Sequence, residues 1–200
     1  MVHWKKKRTD PDGKGVLSMN ARARLLFVGL LLVAAGLLAY QAFFAEQPNG
    51  ADSRRPQEGY LAPEFSLPDA SGRRVSLQDL QGSPVFLNFW ASWCGPCHQE
   101  MPDLVEAEKR FGQQVRFVGI NLTTEEKSQA AAEQFLQQYQ VTYLNLFDTK
   151  GKAKKAYQIV GIPTSYLLDE KGRILYRHMG PITFSQLEQL FAQLEDGPQS

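Results

Sequence analysis

Residues 85–103, VFLNFWASWCGPCHQEMPD, decide the fold. The run from Val85 to Trp90 is short, apolar and rich in aromatic residues, which reads as a buried strand. The turn Ala91-Ser92-Trp93 leads to Cys94-Gly95-Pro96-Cys97. Beyond it Met101, Leu104, Val105 and Phe111 put apolar side chains on one face of a helix. Cys94 therefore stands where a strand ends and a helix begins. The first turn of a helix carries unpaired N–H groups and a partial positive charge, which favour a thiolate over a thiol. A thiolate is the species that attacks disulfides. Cys97, one turn on, is close enough to close a small disulfide ring with Cys94.

Outward from this unit, 115–122 (VRFVGINL) reads as a second buried strand. Thr123-Thr124-Glu125-Glu126 reads as a capping box opening a helix with Ala132, Phe135, Leu136 and Tyr139 on one stripe. A third strand is expected over 143–147, and Asp148 caps a short basic helix reaching residue 157. Strands at 164–168 and 174–177 flank the hairpin turn Asp169-Glu170-Lys171-Gly172. Thr183 and Gln186 form another capping box, and its helix turns Leu187, Leu190, Phe191 and Leu194 inward. On the N-terminal side, 65–67 and 74–77 are short strands about Asp69-Ala70-Ser71-Gly72, and 78–81 is a turn. Strands that alternate with helices and then close with a hairpin predict an α/β domain, its central mixed sheet carrying helices on both faces.

The 200 residues suffice for one ordinary domain plus appendages, with no internal repeat. The net charge of +1 hides an asymmetry: residues 1–24 hold seven Lys/Arg against two Asp, and the remainder holds 15 basic against 19 acidic. A slightly acidic domain gives no reason to expect nucleic acid as a partner. Residues 25–44 are uncharged, twenty residues that span roughly 30 Å as a helix. With the basic cluster before it, the positive-inside rule leaves 1–24 in the cytoplasm and everything after 44 outside. The expected organisation is a cytoplasmic basic segment (1–24), a transmembrane anchor (25–44), a flexible Pro/Gly-rich linker (45–60) and the domain (61–197). A cleaved signal peptide is the other reading of 25–44, and Met19 is a second candidate start. Either way the domain lies in an oxidising compartment.

Together, WCGPC after a buried strand, the stretch Ala62 to Leu67 with Gly72 and Val75-Ser76-Leu77, the stretch Asn88 to Trp93, and Gly161-Ile162-Pro163-Thr164 resemble the TlpA/ResA-like thiol–disulfide oxidoreductases. These are membrane-anchored, thioredoxin-like proteins of the AhpC/TSA-redoxin type. The resemblance covers roughly residues 61–194. It implies a thioredoxin-like fold with an N-terminal β-hairpin and an internal βα insertion over 143–157. It also implies action on a disulfide-containing protein client, apocytochrome c among the candidates, and re-reduction by a CcdA- or DsbD-type membrane donor. No cofactor is implied.

Cys94 and Cys97 are the only cysteines. A zinc site needs four ligands, and a purely structural disulfide across so short a loop stabilises little, so redox chemistry is the reading. Cys94, nearer the helix start and expected the more exposed, is the nucleophile; Cys97 resolves the mixed disulfide. Glu100 falls three residues after Cys97, near the dithiol. It reads either as a solvated N-terminal glutamate or as the proton carrier for Cys97. The family likeness, with Asn88 where thioredoxin has a buried Asp, favours the second. Its pKa should then lie above the usual value of about 4.3. By the same likeness Ile162-Pro163 is a cis peptide facing the dithiol, against a base rate of ~5–6%. The Ile162 backbone, with Trp93 and Pro96, would then receive the client chain. Pro102 is expected to kink the active-site helix. Lys150, Lys152, Lys154 and Lys155 read as a solvated face.

Two rival functions stay open. Cys94 to His98 also fits the C-x-x-C-H pattern of covalent haem attachment, with Met101, His178 or Met179 as second axial ligand. Its blander reading makes His98 an exposed helix-start residue. A thiol peroxidase shares the fold. Gly95-Pro96, the pair found in thioredoxin, tilts the direction of electron flow towards a reductase.

Overall fold

The computed structural model describes residues 20–45 and 53–195, and the chain divides into a unit ending at Gln47 and a second beginning at Pro48. Among its described residues the first unit holds one helix, Ala21–Ala45 (α1). The anchor expected over 25–44 falls on this helix. Side chains are described without a break over 25–38, all exposed within the chain, and among the described residues no helix is long and apolar enough to cross a membrane. The basic segment up to residue 19 lies outside the described residues.

The second unit is built on Val85–Trp90 (β3), in which all six residues are buried. A strand buried on both faces needs neighbours on both sides and cover above and below, and β3 has all of these. On one side it pairs in parallel with Arg116–Asn121 (β4), which pairs in parallel with Leu144–Phe147 (β5). On the other it pairs antiparallel with Thr164–Leu168 (β6), which pairs antiparallel with Ile174–Met179 (β7). The order β5-β4-β3-β6-β7 is the mixed sheet that alternating βα units followed by a hairpin predict.

Side chains alternate across β3 and sort the core into two layers. Phe86 and Trp90 face a layer filled by Gly95–Phe111 (α2), Gln129–Gln138 (α3) and Phe184–Glu195 (α5), through Met101, Leu104, Ala107, Ala132, Phe135, Leu187 and Phe191. Leu87 and Phe89 face a layer closed by the hairpin of Ser66–Pro68 (β1) and Arg74–Ser76 (β2), with the five-residue helix Lys152–Ala156 (α4) and Tyr157. Helices thus cover both faces, but the three longer ones share one face and the hairpin does most of the work on the other.

Both Asp-x-x-Gly turns form as read: Asp69 Oδ1 accepts from Ser71 N and Arg73 N, and Asp169 Oδ1 accepts from Lys171 N and Arg173 N. Each closes on a glycine with positive φ, +85° at Gly72 and +83° at Gly172, which glycine adopts without a Cβ penalty. Two expectations fail. The capping box at Thr123–Glu126 does not open α3: Thr123–Glu125 is a single 3-10 turn, and Ser128 caps α3 by accepting from Ala131 N at 3.2 Å. Glu126 has stronger partners elsewhere, in the turn before Cys94. The flexible linker expected up to residue 60 is also shorter at its C-terminal end. Gly59 N donates to Ile174 O, Ile174 N donates to Tyr60 O, and Arg54 pairs with Glu64, so this stretch covers part of the β7 edge.

Candidate functional site

β3 delivers its C-terminal end, the turn Ala91–Trp93 and then α2 in direct succession, as the sequence requires. Cys94 is the N-cap of α2: its backbone is extended (φ −82°, ψ 107°) and its Sγ accepts from Cys97 N at 3.2 Å, satisfying one of the unpaired donors of the first turn. Pro96 occupies the first turn, where a missing N–H costs nothing. Cys94 and Cys97 are joined as a disulfide with Cα atoms 5.2 Å apart. The helix runs on through Pro102 to Phe111. Cys94 is the more exposed of the pair, but only at 3% against 0%. The expected solvent-facing sulfur is therefore a narrowly accessible one, because the loop after α4 comes down beside it.

That loop carries Ile162-Pro163, and the peptide bond between them is cis, as the resemblance implied. The Ile162 carbonyl oxygen lies 3.6 Å from Cys94 Sγ. Trp93 is 55% exposed beside the disulfide, its Nε1 donating to Glu125 O at 2.9 Å, and Val160 (83%) and Met179 (52%) are the other exposed apolar residues of this region. Gly161 links the two, since a Cβ there would come within 3.5 Å of Met179 Sδ.

Glu100 is not solvated. It is 1% exposed; Oε1 accepts from Asn88 Nδ2 at 2.8 Å and Oε2 accepts from Ile182 N at 3.1 Å. Burial pushes its carboxyl up from the ordinary 4.5 to about 7, more than the two donors lower it, and Asp103 adds a smaller push in the same direction. A group that titrates there is suited to passing a proton at neutral pH.

His98 is half-buried, not exposed. Its ring lies between two partners, Nε2 against Ser92 O and Nδ1 against the Tyr139 hydroxyl, both at 2.8 Å, and it meets Phe135 edge-on. A haem iron would have to displace the hydrogen bond at whichever nitrogen it took. The sequence reading missed the other side of this clamp. Glu126 Oε1 accepts from Ser92 N at 2.6 Å and from Asn121 Nδ2 at 2.8 Å, and Oε2 accepts from Ser92 Oγ at 2.5 Å. Every polar group of Ser92 is thereby held, two residues before Cys94. The signal was present as an acidic residue just past a buried strand, but the capping-box pattern claimed it. Lys154 bonds Glu125 and is not part of a wholly solvated face.

A cysteine pair at a strand-to-helix junction, facing a cis-proline loop on a mixed sheet, defines a thioredoxin-like thiol–disulfide oxidoreductase. Residues 59–177, more than half of the chain, match the AhpC/TSA family, and the chain belongs to that family. It is 40% identical over 161 residues to the thioredoxin-like protein YneN of Bacillus subtilis, covering 80% of this chain and 93% of that one. It is 35% identical over 185 residues to the thiol-disulfide oxidoreductase ResA of the same organism, covering 90% and 98%. The crystal structure of StoA from Bacillus subtilis superposes with a TM-score of 0.58 at 34% identity, over 64% of this chain and 96% of that chain.

Proposed function

We propose that this protein reduces disulfides in client proteins outside the cytoplasm, held at the membrane by residues 25–44. The observation that carries the chemistry is Cys94 Sγ at the N-cap of α2, bonded by Cys97 N–H and 3.6 Å from the Ile162 carbonyl. In the reduced protein the same N–H stabilises a Cys94 thiolate. That thiolate attacks one sulfur of a client disulfide and forms a mixed disulfide; the other client sulfur leaves as a thiolate and takes a proton from water. Cys97 then gives its proton to Glu100 and attacks Cys94 Sγ. The second client sulfur leaves and takes up that proton. Two electrons pass from the cysteine pair to the client, and Cys94–Cys97 is left as the disulfide. The client chain lies against the Ile162 backbone, with Trp93 and Pro96 flanking it.

The anchor rests on the twenty uncharged residues, long enough as a helix to span roughly 30 Å, and on the basic residues before them. A reductase in an oxidising compartment needs a source of electrons across the membrane, which fits a CcdA- or DsbD-type donor. Apocytochrome c is the proposed client, on the resemblance to ResA-like proteins.

The test is trapping. With a disulfide-bonded apocytochrome c peptide, Cys97→Ser should accumulate a mixed disulfide on Cys94, whereas Cys94→Ser should trap nothing. Peroxide consumed faster than the peptide is reduced would point to the peroxidase instead, and a Soret band in protein made with haem supply would point to haem attachment.

A further inference from the structure

Asn88 Oδ1 is one of two side-chain polar atoms that are buried with no hydrogen-bond partner among the described residues, although Asn88 sits beside the site and is 1% exposed. Buried carbonyl oxygens are ordinarily paired, so the exception needs a reason. Its amide nitrogen, by contrast, serves two acceptors, Glu100 Oε1 at 2.8 Å and Ser165 Oγ at 3.1 Å. Ser165 lies opposite Asn88 in the β3–β6 register, which fixes the approach.

The amide of Asn145 shows what a dictated orientation looks like. Its Oδ1 accepts from Trp90 Nε1 and its Nδ2 donates to Tyr143 O; an indole N–H can only donate and a carbonyl can only accept. Asn88 has no such dictation. A hydroxyl donates or accepts, and so does a carboxyl group according to its protonation. With Glu100 ionised, the amide must present nitrogen to it. With a proton on Oε1, the same nitrogen would set hydrogen against hydrogen, while Oδ1 would accept from both Glu100 and Ser165. Each orientation leaves one amide atom unpaired, so the proton on Glu100 decides between them.

We propose that Asn88 is a positioning residue for the proton that Cys97 gives up, its amide meeting Glu100 nitrogen-first when the carboxylate is charged and oxygen-first once the carboxyl is protonated. The inference rests on the reading of Glu100 as the proton carrier for Cys97. No co-reactant is needed: one proton moves from Cys97 Sγ to Glu100 Oε1 and leaves with the second client thiol. Oε2 keeps the Ile182 N–H throughout. That N–H belongs to the same short segment as Gly180, whose N–H donates to Pro163 O at 2.9 Å, so the carboxyl group and the client-facing loop share one support. The titratable groups around Glu100 are Asp103 on α2 and Tyr143 before β5, whose hydroxyl donates to Met101 Sδ. On β7, His178 stands opposite Ser165 with Nε2 at 3.2 Å from Pro181 O. β3, β6 and the segment before α5 present only the neutral groups of Asn88, Ser165 and Ile182.

The test uses the full chain in detergent, oxidised and labelled with 15N and 13C. The Asn88 side-chain amide signals, identified by their loss in Asn88→Leu, should shift across the pH range in which the Glu100 carboxyl carbon titrates. They should stay fixed in Glu100→Gln, and the Asn145 signals should stay fixed in both proteins. Asn88 signals that ignore the Glu100 titration, or that move equally in Glu100→Gln, overturn the inference. This arm involves no client, so a failure of client reduction would count against the proposed function alone. Kinetically, removing the donor to the charged carboxylate in Asn88→Leu should raise the pH midpoint of mixed-disulfide resolution by about one to two pH units. A uniform loss of rate with an unmoved midpoint would make Asn88 merely structural and overturn the inference.

Discussion

Replacing Glu100 by glutamine should stabilise the oxidised protein above neutral pH and leave its stability unchanged in acid. The carboxyl is 1% exposed, and burial holds its pKa at about 7 in place of 4.5 despite two hydrogen bonds. The unfolded chain loses this proton near 4.5 and the folded chain near 7. Between those values the native state binds more protons, so stability falls as pH rises. A gap of about 2.5 units at about 1.36 kcal/mol each makes the penalty about 3 kcal/mol, complete above pH 7 and absent below 4.5. Glutamine carries no charge at any pH and keeps an acceptor for Ile182 N–H. Urea unfolding of both proteins across this range isolates the effect, because every other titrating group cancels in the difference. The expected difference is near zero at pH 4 and about 3 kcal/mol in favour of glutamine at pH 8.5. A pH-independent difference, or a less stable glutamine variant at pH 8.5, would refute the reasoning.

Glu126→Ala removes the acceptor of three hydrogen bonds and releases the turn before Cys94; it should cost about 2 kcal/mol by urea unfolding and slow client reduction, with Glu126→Gln recovering most of both. Gly119→Ala places a Cβ inside the Asn145 side chain and 2.9 Å from Trp90 Nε1, so the Trp90–Asn145 hydrogen bond must break. A loss of more than about 2 kcal/mol is expected in thermal or urea unfolding, and near-neutrality would show that this corner of the core yields.

The central unit was legible because it is local: an apolar run, a cysteine pair and an apolar helix face lie in twenty-seven consecutive residues, 85–111, and β3, the disulfide and α2 follow in that order. The two Asp-x-x-Gly turns and the Thr183/Gln186 capping box were legible for the same reason, each being closed by neighbours a few residues apart. What the sequence did not disclose depends on long-range contacts. Ser92 and Glu126 are 34 residues apart, and Asn88 and Ser165 are 77 apart, joined only once β3 has paired with its neighbours. Glu126 was misread because Thr-x-x-Glu is a real capping pattern, and the contest between a helix end and the Ser92 amide is settled by tertiary packing. The burial of Glu100 was likewise invisible, since only the sheet above and the segment before α5 enclose it. The near-closure of Cys94 belongs with these, because the Ile162 loop that crowds it comes from 68 residues away.

The most direct test of the account is the midpoint potential of the Cys94–Cys97 pair, measured against a glutathione or dithiothreitol series. A disulfide reductase predicts a value well below the ~−180 mV of protein disulfide isomerase, whereas a value near the ~−120 mV of DsbA would contradict it.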